Sequence, residues 1–283
     1  VIAERGEAGR AWLDALPDKF EELCAGWNLT MDGKPAHGHL GLVVPVRRSE
    51  ERCALKITWL DEASRQEICA LQTWNGNGAV RLLDARPDEG VLLMERLDGS
   101  RTLEDVSIED AVSVAGRLLR QLAVTSPPEI PKLSEHAEVM MSAMYDCWHR
   151  FGRPFPEHIL VAAQDAARQQ APSAADLLVN HDLHYGNVLA GTREPWLVID
   201  PKVLAGDPEY GLFPLLLRRP KEASTNDALS RRFDMLVAIA DLDADRAHAW
   251  TLVRSVDYWL WALGIGLTED PVRCKVITDW LLE

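Results

Sequence analysis

Two lobes of the α+β class are predicted by this 283-residue sequence: a small antiparallel sheet with one main helix over residues 1–97, then a larger, mostly helical part over residues 98–283. Three observations carry that expectation. Val-, Leu- and Ile-rich runs of strand length recur between turn residues in the first third. After Asp98-Gly99, apolar residues at three- and four-residue spacing dominate. The length exceeds one minimal core and falls short of three.

Taken in order, Trp12, Leu13, Leu16, Phe20, Leu23 and Trp27 have the spacing of an opening amphipathic helix, which should break near Pro17. Residues 41–47 and 53–59 read as a hairpin around the charged turn RRSEER. Residues 61–74 return to helical spacing through Ile68, Leu71 and Trp74, and NGNG stops that helix. Two further strand candidates, AVRLLDA and GVLLMERL, flank a Pro-Asp-Glu-Gly turn. Long helices are expected over 104–123, 132–151 and 158–170. Strand-like runs return at 177–179, 188–189 and 196–199, and the chain beyond Pro214 again reads as helix. A short link near residues 96–100 should join the two lobes.

The formal net charge is −14, and residues 97–283 carry 28 acidic against 18 basic side chains. Affinity for a phosphate backbone comes largely from Lys and Arg, so no nucleic-acid partner is expected. A cationic small molecule would be attracted, although acidity that merely keeps a protein dissolved would look the same. Cys24, Cys53, Cys69, Cys147 and Cys274 are scattered and form no C-x-x-C pair, which suits reduced thiols. The opening residues mix both charge signs, and the longest apolar run, Tyr258 to Leu267, is about half a membrane span. A cytoplasmic protein with no membrane association and no obligate protein partner is expected.

The densest polar cluster is Asn180-His181-Asp182-Leu183-His184-Tyr185-Gly186-Asn187, followed after one strand by Val198-Ile199-Asp200-Pro201. Phosphoryl transfer needs a carboxylate near the acceptor hydroxyl, plus an amide and a second carboxylate to hold Mg²⁺ against nucleotide phosphates. Asp182, Asn187 and Asp200 have the order and spacing of that set in kinases. A lysine on a strand and a glutamate on the next helix should accompany them, and Lys56 with Glu67 fits. Glu62 is the rival partner; Glu67, next to Ile68 and one turn from Leu71, lies on the inward side.

VVPVRR, GAVRLLDA and LLMERL in the first part, with NHDLHYGNVLAG and WLVIDPKVLAGDPEYGLFPLL in the second, resemble the aminoglycoside phosphotransferase superfamily, most closely its streptomycin 6-kinase and hydroxyurea phosphotransferase branch. The resemblance covers nearly the whole chain and implies a protein-kinase-like bilobal fold. It implies ATP and Mg²⁺ as cofactors, Asp182 as the catalytic carboxylate, Asn187 and Asp200 as Mg²⁺ ligands, and Lys56 with Glu67 as the phosphate clamp. It also implies adenine at the link around Glu95, Arg96 and Leu97, with Met94 behind it. The loop from His37 to Gly41, with Gly38 and Gly41 allowing close backbone approach and His39 between them, would cover the phosphates.

The chain departs from the pattern at two points. Asn180 stands where the superfamily often has His, with His181 adjacent to the catalytic Asp. Asp200 is followed by Pro-Lys rather than Phe-Gly, which argues against a regulated protein kinase. His181 and His184 form H-x-x-H, which could instead bind zinc. For a polycationic acceptor, Asp207 and Glu209 are the nearest carboxylates in sequence, with Asp146 and Asp257 further possibilities. An aminoglycoside kinase, streptomycin the leading acceptor, is the expected activity. A kinase for another small hydroxylated molecule, such as hydroxyurea, and a nucleotide-binding protein without turnover are the alternatives.

Overall fold

The computed structural model describes residues 1–38 and 40–283, apart from the side chains of Ile2 and Ala3. It divides into two compact units, Val1–Asp98 with Gly191–Pro195, and Gly99–Ala190 with Trp196–Glu283. The sequence reading puts 191–195 with the second part; by its contacts this short turn belongs to the first.

The first unit opens with α1 (Ile2–Trp27), which is non-helical at Gly6 and ends at Asn28 in the left-handed region with φ 55°. The helix runs through Pro17 and does not break there. Pro17 removes one backbone hydrogen bond, but Trp12, Leu16, Phe20, Leu23 and Trp27 all pack on the sheet's core and hold the helix across the gap. The sheet comprises β1 (Leu29–Met31), β2 (Ala36–His37), β3 (Gly41–Arg48), β4 (Glu51–Thr58), β5 (Leu82–Arg86) and β6 (Val91–Glu95). Its order is β1-β3-β4-β6-β5, with β2 also on β3 and every pairing antiparallel. Leu55, Ile57, Val91 and Leu93 supply the inward face. The other helix, α2 (Glu62–Trp74), begins at an Asp61–Ser64 capping box and stops at Asn75 with φ 46°.

In the second unit, β7 (Asp98–Thr102) leads from the link into α3 (Ile108–Leu122), α4 (Leu133–Arg150) and α5 (Glu157–Gln170). Then come β8 (Leu177–Asn180), β9 (Val188–Ala190), β10 (Trp196–Val198) and β11 (Val203–Gly206), followed by α6 (Phe213–Leu217), α7 (Asn226–Ala240), α8 (Ala244–Gly264) and α9 (Glu269–Leu282). β9 lies between β10 and β7, while β8 pairs with β11. Trp250 on α8 is fully buried, and Val253, Val256 and Leu260 extend the same core. Among the described residues, no helix is long and apolar enough to cross a membrane.

Candidate active site

In the first unit, Lys56 lies on β4, opposite Val43 of β3 and Leu92 of β6, so neighbours on both sides fix its backbone. Its ammonium reaches both oxygens of Glu67, at 2.6 and 2.7 Å. Glu67 is buried on α2, and Glu62, the rival, is exposed. The capping box fixes where α2 starts and thereby which residue meets the lysine.

The segment before β3 is a hairpin, with Ala36 opposite Val43 and His37 opposite Leu42. The Gly38 N–H donates to the Gly41 carbonyl at 2.9 Å, and Gly41 begins β3. His37 is exposed on β2, and His39 lies outside the described residues. Met94 is buried on β6, opposite Ala54 and Leu82. Beyond it, the Glu95 N–H donates to the Arg81 carbonyl and the Arg96 N–H to the Arg52 carbonyl. The Glu95 carboxylate accepts from the Arg81 N–H and from the Arg193 guanidinium, both at 2.8 Å. Leu97 is half-buried beside it.

The second unit gathers the polar cluster. The β9–β10 hairpin pairs Val188 with Val198, and just beyond that pair the Ile199 N–H donates to the Asn187 carbonyl at 2.9 Å. Asn187 and the residue preceding Asp200 are thus bonded at the open end of one hairpin. A long contact of 3.5 Å runs from Asn187 Nδ2 to the Asp182 carbonyl. Asp200 is exposed and has φ 50°, a left-handed conformation that a non-glycine residue adopts at some cost.

Asn180, the departure from the superfamily pattern, is buried at the end of β8. Its Oδ1 accepts from the Asp182 N–H at 3.1 Å and the Lys202 N–H at 3.3 Å. One amide oxygen therefore joins the loop bearing Asp182 to the chain just after Asp200. His181 adds a bond from its N–H to the Lys202 carbonyl, 2.9 Å. Arg254 of α8, stacked against Tyr210 and Phe213, donates to the His181 carbonyl at 3.0 Å and faces its Nδ1 at 3.3 Å. Burial, reinforced by Arg254, holds the His181 imidazole well below its ordinary pKa. Burial also lowers His184, against the opposing pull of Asp182. A guanidinium against His181 is a poor neighbour for a zinc ion, and among the described residues no group of three or more His, Cys, Asp or Glu is placed to hold a metal.

Lys202 and Arg254 are the residues that the sequence reading missed. The Lys202 ammonium stands 2.9 Å from Asp182 Oδ2. Its signal was on view as the Lys of Asp-Pro-Lys; nothing local announces Arg254, which sits 73 residues from His181.

Two expected acceptor residues have other partners. Asp207 is 2% exposed and accepts from the Ala175 N–H, Trp250 Nε1 and the Arg246 guanidinium, at 2.7, 2.7 and 2.9 Å. Glu209, also buried, accepts from the Asp243 N–H at the start of α8, and burial raises its pKa. Both carboxylates are spent inside the unit and not presented to a ligand. Asp146 is exposed on α4. Asp257 is half-buried on α8, and burial raises its pKa against the opposing effect of Arg254. Next to Asp257, Tyr258 and Trp261 stack at 5.0 Å and, with Glu269 and Asp270, line an open pocket of about 440 Å³. Arg218 lines it too and acts electrostatically on His184.

A strand lysine paired to a helix glutamate, together with an Asp loop closed onto an Asn–Asp hairpin, defines the class: a phosphotransferase of the protein-kinase-like fold. Solved structures share that fold. Aminoglycoside phosphotransferase APH(4)-Ia, in a ternary complex with ADP and hygromycin B, is similar with a TM-score of 0.64 at 15% identity, over 92% of this chain and 97% of that one. Choline kinase LicA from Streptococcus pneumoniae is similar with a TM-score of 0.61 at 11% identity, over 93% and 96%. Among curated proteins, the streptomycin 6-kinase of Streptomyces glaucescens is 40% identical over 274 residues, 94% of this chain and 89% of its own. The hydroxyurea phosphotransferase of Kitasatospora aureofaciens is 38% identical over 282 residues, 98% and 82%. Residues 26–266 match the model of the aminoglycoside/hydroxyurea antibiotic resistance kinases, and the chain belongs to that family.

Proposed function

We propose that this protein transfers the γ-phosphate of ATP to a hydroxyl of a cationic aminoglycoside, with streptomycin the leading acceptor, and so confers resistance in the cytoplasm. The observation that carries the reading is the gathering of Asp182, Asn187 and Asp200 through the Asn180 bridge and the Ile199–Asn187 bond. Residues 1–97 would bind the nucleotide, and residues 98–283 would carry the catalytic carboxylate and the acceptor.

Lys56, steadied by Glu67, would hold the nucleotide phosphates, and Gly38 and Gly41 would lie over them. The N–H groups of Glu95 and Arg96 are already engaged, leaving Leu97 N–H as the donor to the base, with Met94 closing the pocket behind. Asn187 and Asp200 offer an amide oxygen and a carboxylate, donors suited to a hard cation. They would hold Mg²⁺, which when bound screens the charge of the phosphates. Asp182 would orient the acceptor hydroxyl and take its proton.

At the acceptor end, Asp207 and Glu209 drop out. The aromatic and acidic wall of Tyr258, Trp261, Glu269 and Asp270 suits a cationic, ring-bearing molecule, and Asp257 is next to it in sequence only. Asp146 is a more remote candidate. Replacing Asp182 by Ala tests the assignment: turnover should fall by about 10²-fold or more with the thermal midpoint kept, and wild-type turnover would sink it. A second reading, phosphorylation of hydroxyurea or another small hydroxylated molecule, is favoured by the 38% identity to a hydroxyurea phosphotransferase. It uses the same ATP-side residues and differs in the acceptor.

A further inference from the structure

We propose that Lys202 is a further catalytic residue, whose ammonium pairs with Asp182 before transfer and holds the phosphoryl oxygens during it. The inference rests on the reading of Asp182 above.

The Lys202 backbone is fixed on both sides: its N–H is held by Asn180 Oδ1 and its carbonyl by the His181 N–H. Pro201 before it is buried, and the strand β11 begins directly after it. The side chain is not similarly enclosed. Lys202 is 59% exposed and Asp182 30% exposed, and an ion pair this open adds little to folding stability. A rigid backbone presenting an exposed ammonium at 2.9 Å from the carboxylate suits chemistry better than architecture.

The other cationic groups near Asp182 are less available. Arg254 is stacked between Tyr210 and Phe213 and bonded to the His181 carbonyl. Burial lowers the pKa of both His181 and His184, which disfavours their charged forms. Arg218 is exposed but lines the pocket beside Tyr258 and Trp261.

The charge changes during transfer give the ammonium its role. As the acceptor oxygen attacks, a bond forms from it to the γ-phosphorus. The bond from that phosphorus to the β–γ bridging oxygen breaks, and its electron pair leaves on ADP. The acceptor's hydroxyl proton passes to an Asp182 oxygen. Asp182 thereby loses its negative charge while the phosphoryl group keeps its own. The ammonium is released by one anion at the step where another, within reach, needs stabilising. An interaction stronger in the transition state than in the ground state raises kcat more than it lowers KM.

Lys202→Ala, Lys202→Met and Lys202→Arg, assayed with ATP and streptomycin and in parallel with hydroxyurea, test this. The expected result is a fall in kcat of about 10²-fold for the Ala and Met variants. The KM for ATP should change by less than about threefold. Ethylammonium added to the Ala variant should restore part of kcat in a saturable way, Arg should restore part of it too, and the thermal midpoint should stay at the wild-type value. Wild-type turnover in the Ala variant, with Asp182→Ala inactive, would overturn the proposal and leave the kinase reading intact. A fall in kcat accompanied by a fall in thermal midpoint, with no effect of ethylammonium, would make Lys202 structural and overturn it as well. If wild type turned over neither acceptor, the underlying reading would itself fail.

Discussion

Removing both charges of the Lys56–Glu67 pair should separate stability from catalysis. The two side chains are only 12% and 7% exposed, and the ammonium touches both carboxylate oxygens. Breaking such a pair on one side strands the surviving charge in a poorly solvated place, which costs about 3–5 kcal/mol. Glu67→Ala should therefore lower the thermal midpoint by roughly 6 °C or more, taking about 2 °C per kcal/mol for a chain of this size. In Lys56→Met/Glu67→Met no charge is left to strand. Replacement of a buried pair by apolar residues of similar volume is often neutral or stabilising by about 1–4 kcal/mol. The double variant should thus melt at or above the wild-type temperature and yet lose about 10²-fold or more in kcat/KM, because no cation remains at position 56 of β4 to meet the phosphates. Scanning calorimetry and steady-state turnover on the same preparations decide the matter. If the double variant turned over normally, Lys56 would have no part in phosphate binding; if Glu67→Ala melted like wild type, the pair would not be the buried one described.

Two further outcomes follow. Asp207→Ala should lose about 3 kcal/mol or more of stability, since Arg246 and Trp250 Nε1 lose their acceptor, while the acceptor KM of the protein that remains folded stays unchanged; a raised KM with unaltered melting would return Asp207 to the acceptor site. His136 and His181 are both held below 6.5 by burial, with Arg254 acting in the same direction, so below about pH 6.5 the unfolded chain binds protons that the folded chain does not. Their contribution to stability is complete above that pH and declines as pH falls toward the lowered folded values, which a thermal midpoint series from about pH 7.5 to 5.5 would show, with a shallower decline in His136→Gln.

The parts of the fold that were legible in the sequence are those whose signal is local. The alternation in β3 and β4, the apolar spacing of α3 to α5 and the Asn75 stop of α2 each depend on neighbours within one element, and each was found within a few residues. β1, β2, β7 and β11 were missed because they are two to five residues long; β7 is polar and exposed, and β11 carries Ala and Gly where β-branched residues would have signalled a strand. Pro17 misled because a local rule was overridden by the packing of α1 on the sheet.

The candidate site divides in the same way. Asp182, Asn187 and Asp200 lie within nineteen positions of one another, so spacing alone suggested the cluster, and Lys56–Glu67 followed from a lysine on a strand and from the apolar spacing of Ile68 and Leu71 that turns Glu67 inward. Asp207 and Glu209 were chosen because they follow Asp200 closely. What employs them comes from the Ala175 N–H, 32 residues earlier, and from α8 and the turn before it, 34 to 43 residues later, beyond the reach of any local pattern. Asn180 was visible only as a mismatch; its bridging role needed the pairing of β8 with β11 to bring Lys202 alongside.

The central claim is that this chain moves a phosphoryl group from ATP to an aminoglycoside hydroxyl. Mass spectrometry of streptomycin, of other aminoglycosides and of hydroxyurea, after incubation with the protein and Mg-ATP, measures it directly. The account predicts one added phosphate on streptomycin, formed together with ADP and absent with Asp182→Ala. Unmodified aminoglycosides throughout, with phosphate appearing on hydroxyurea alone or on no compound, would contradict it.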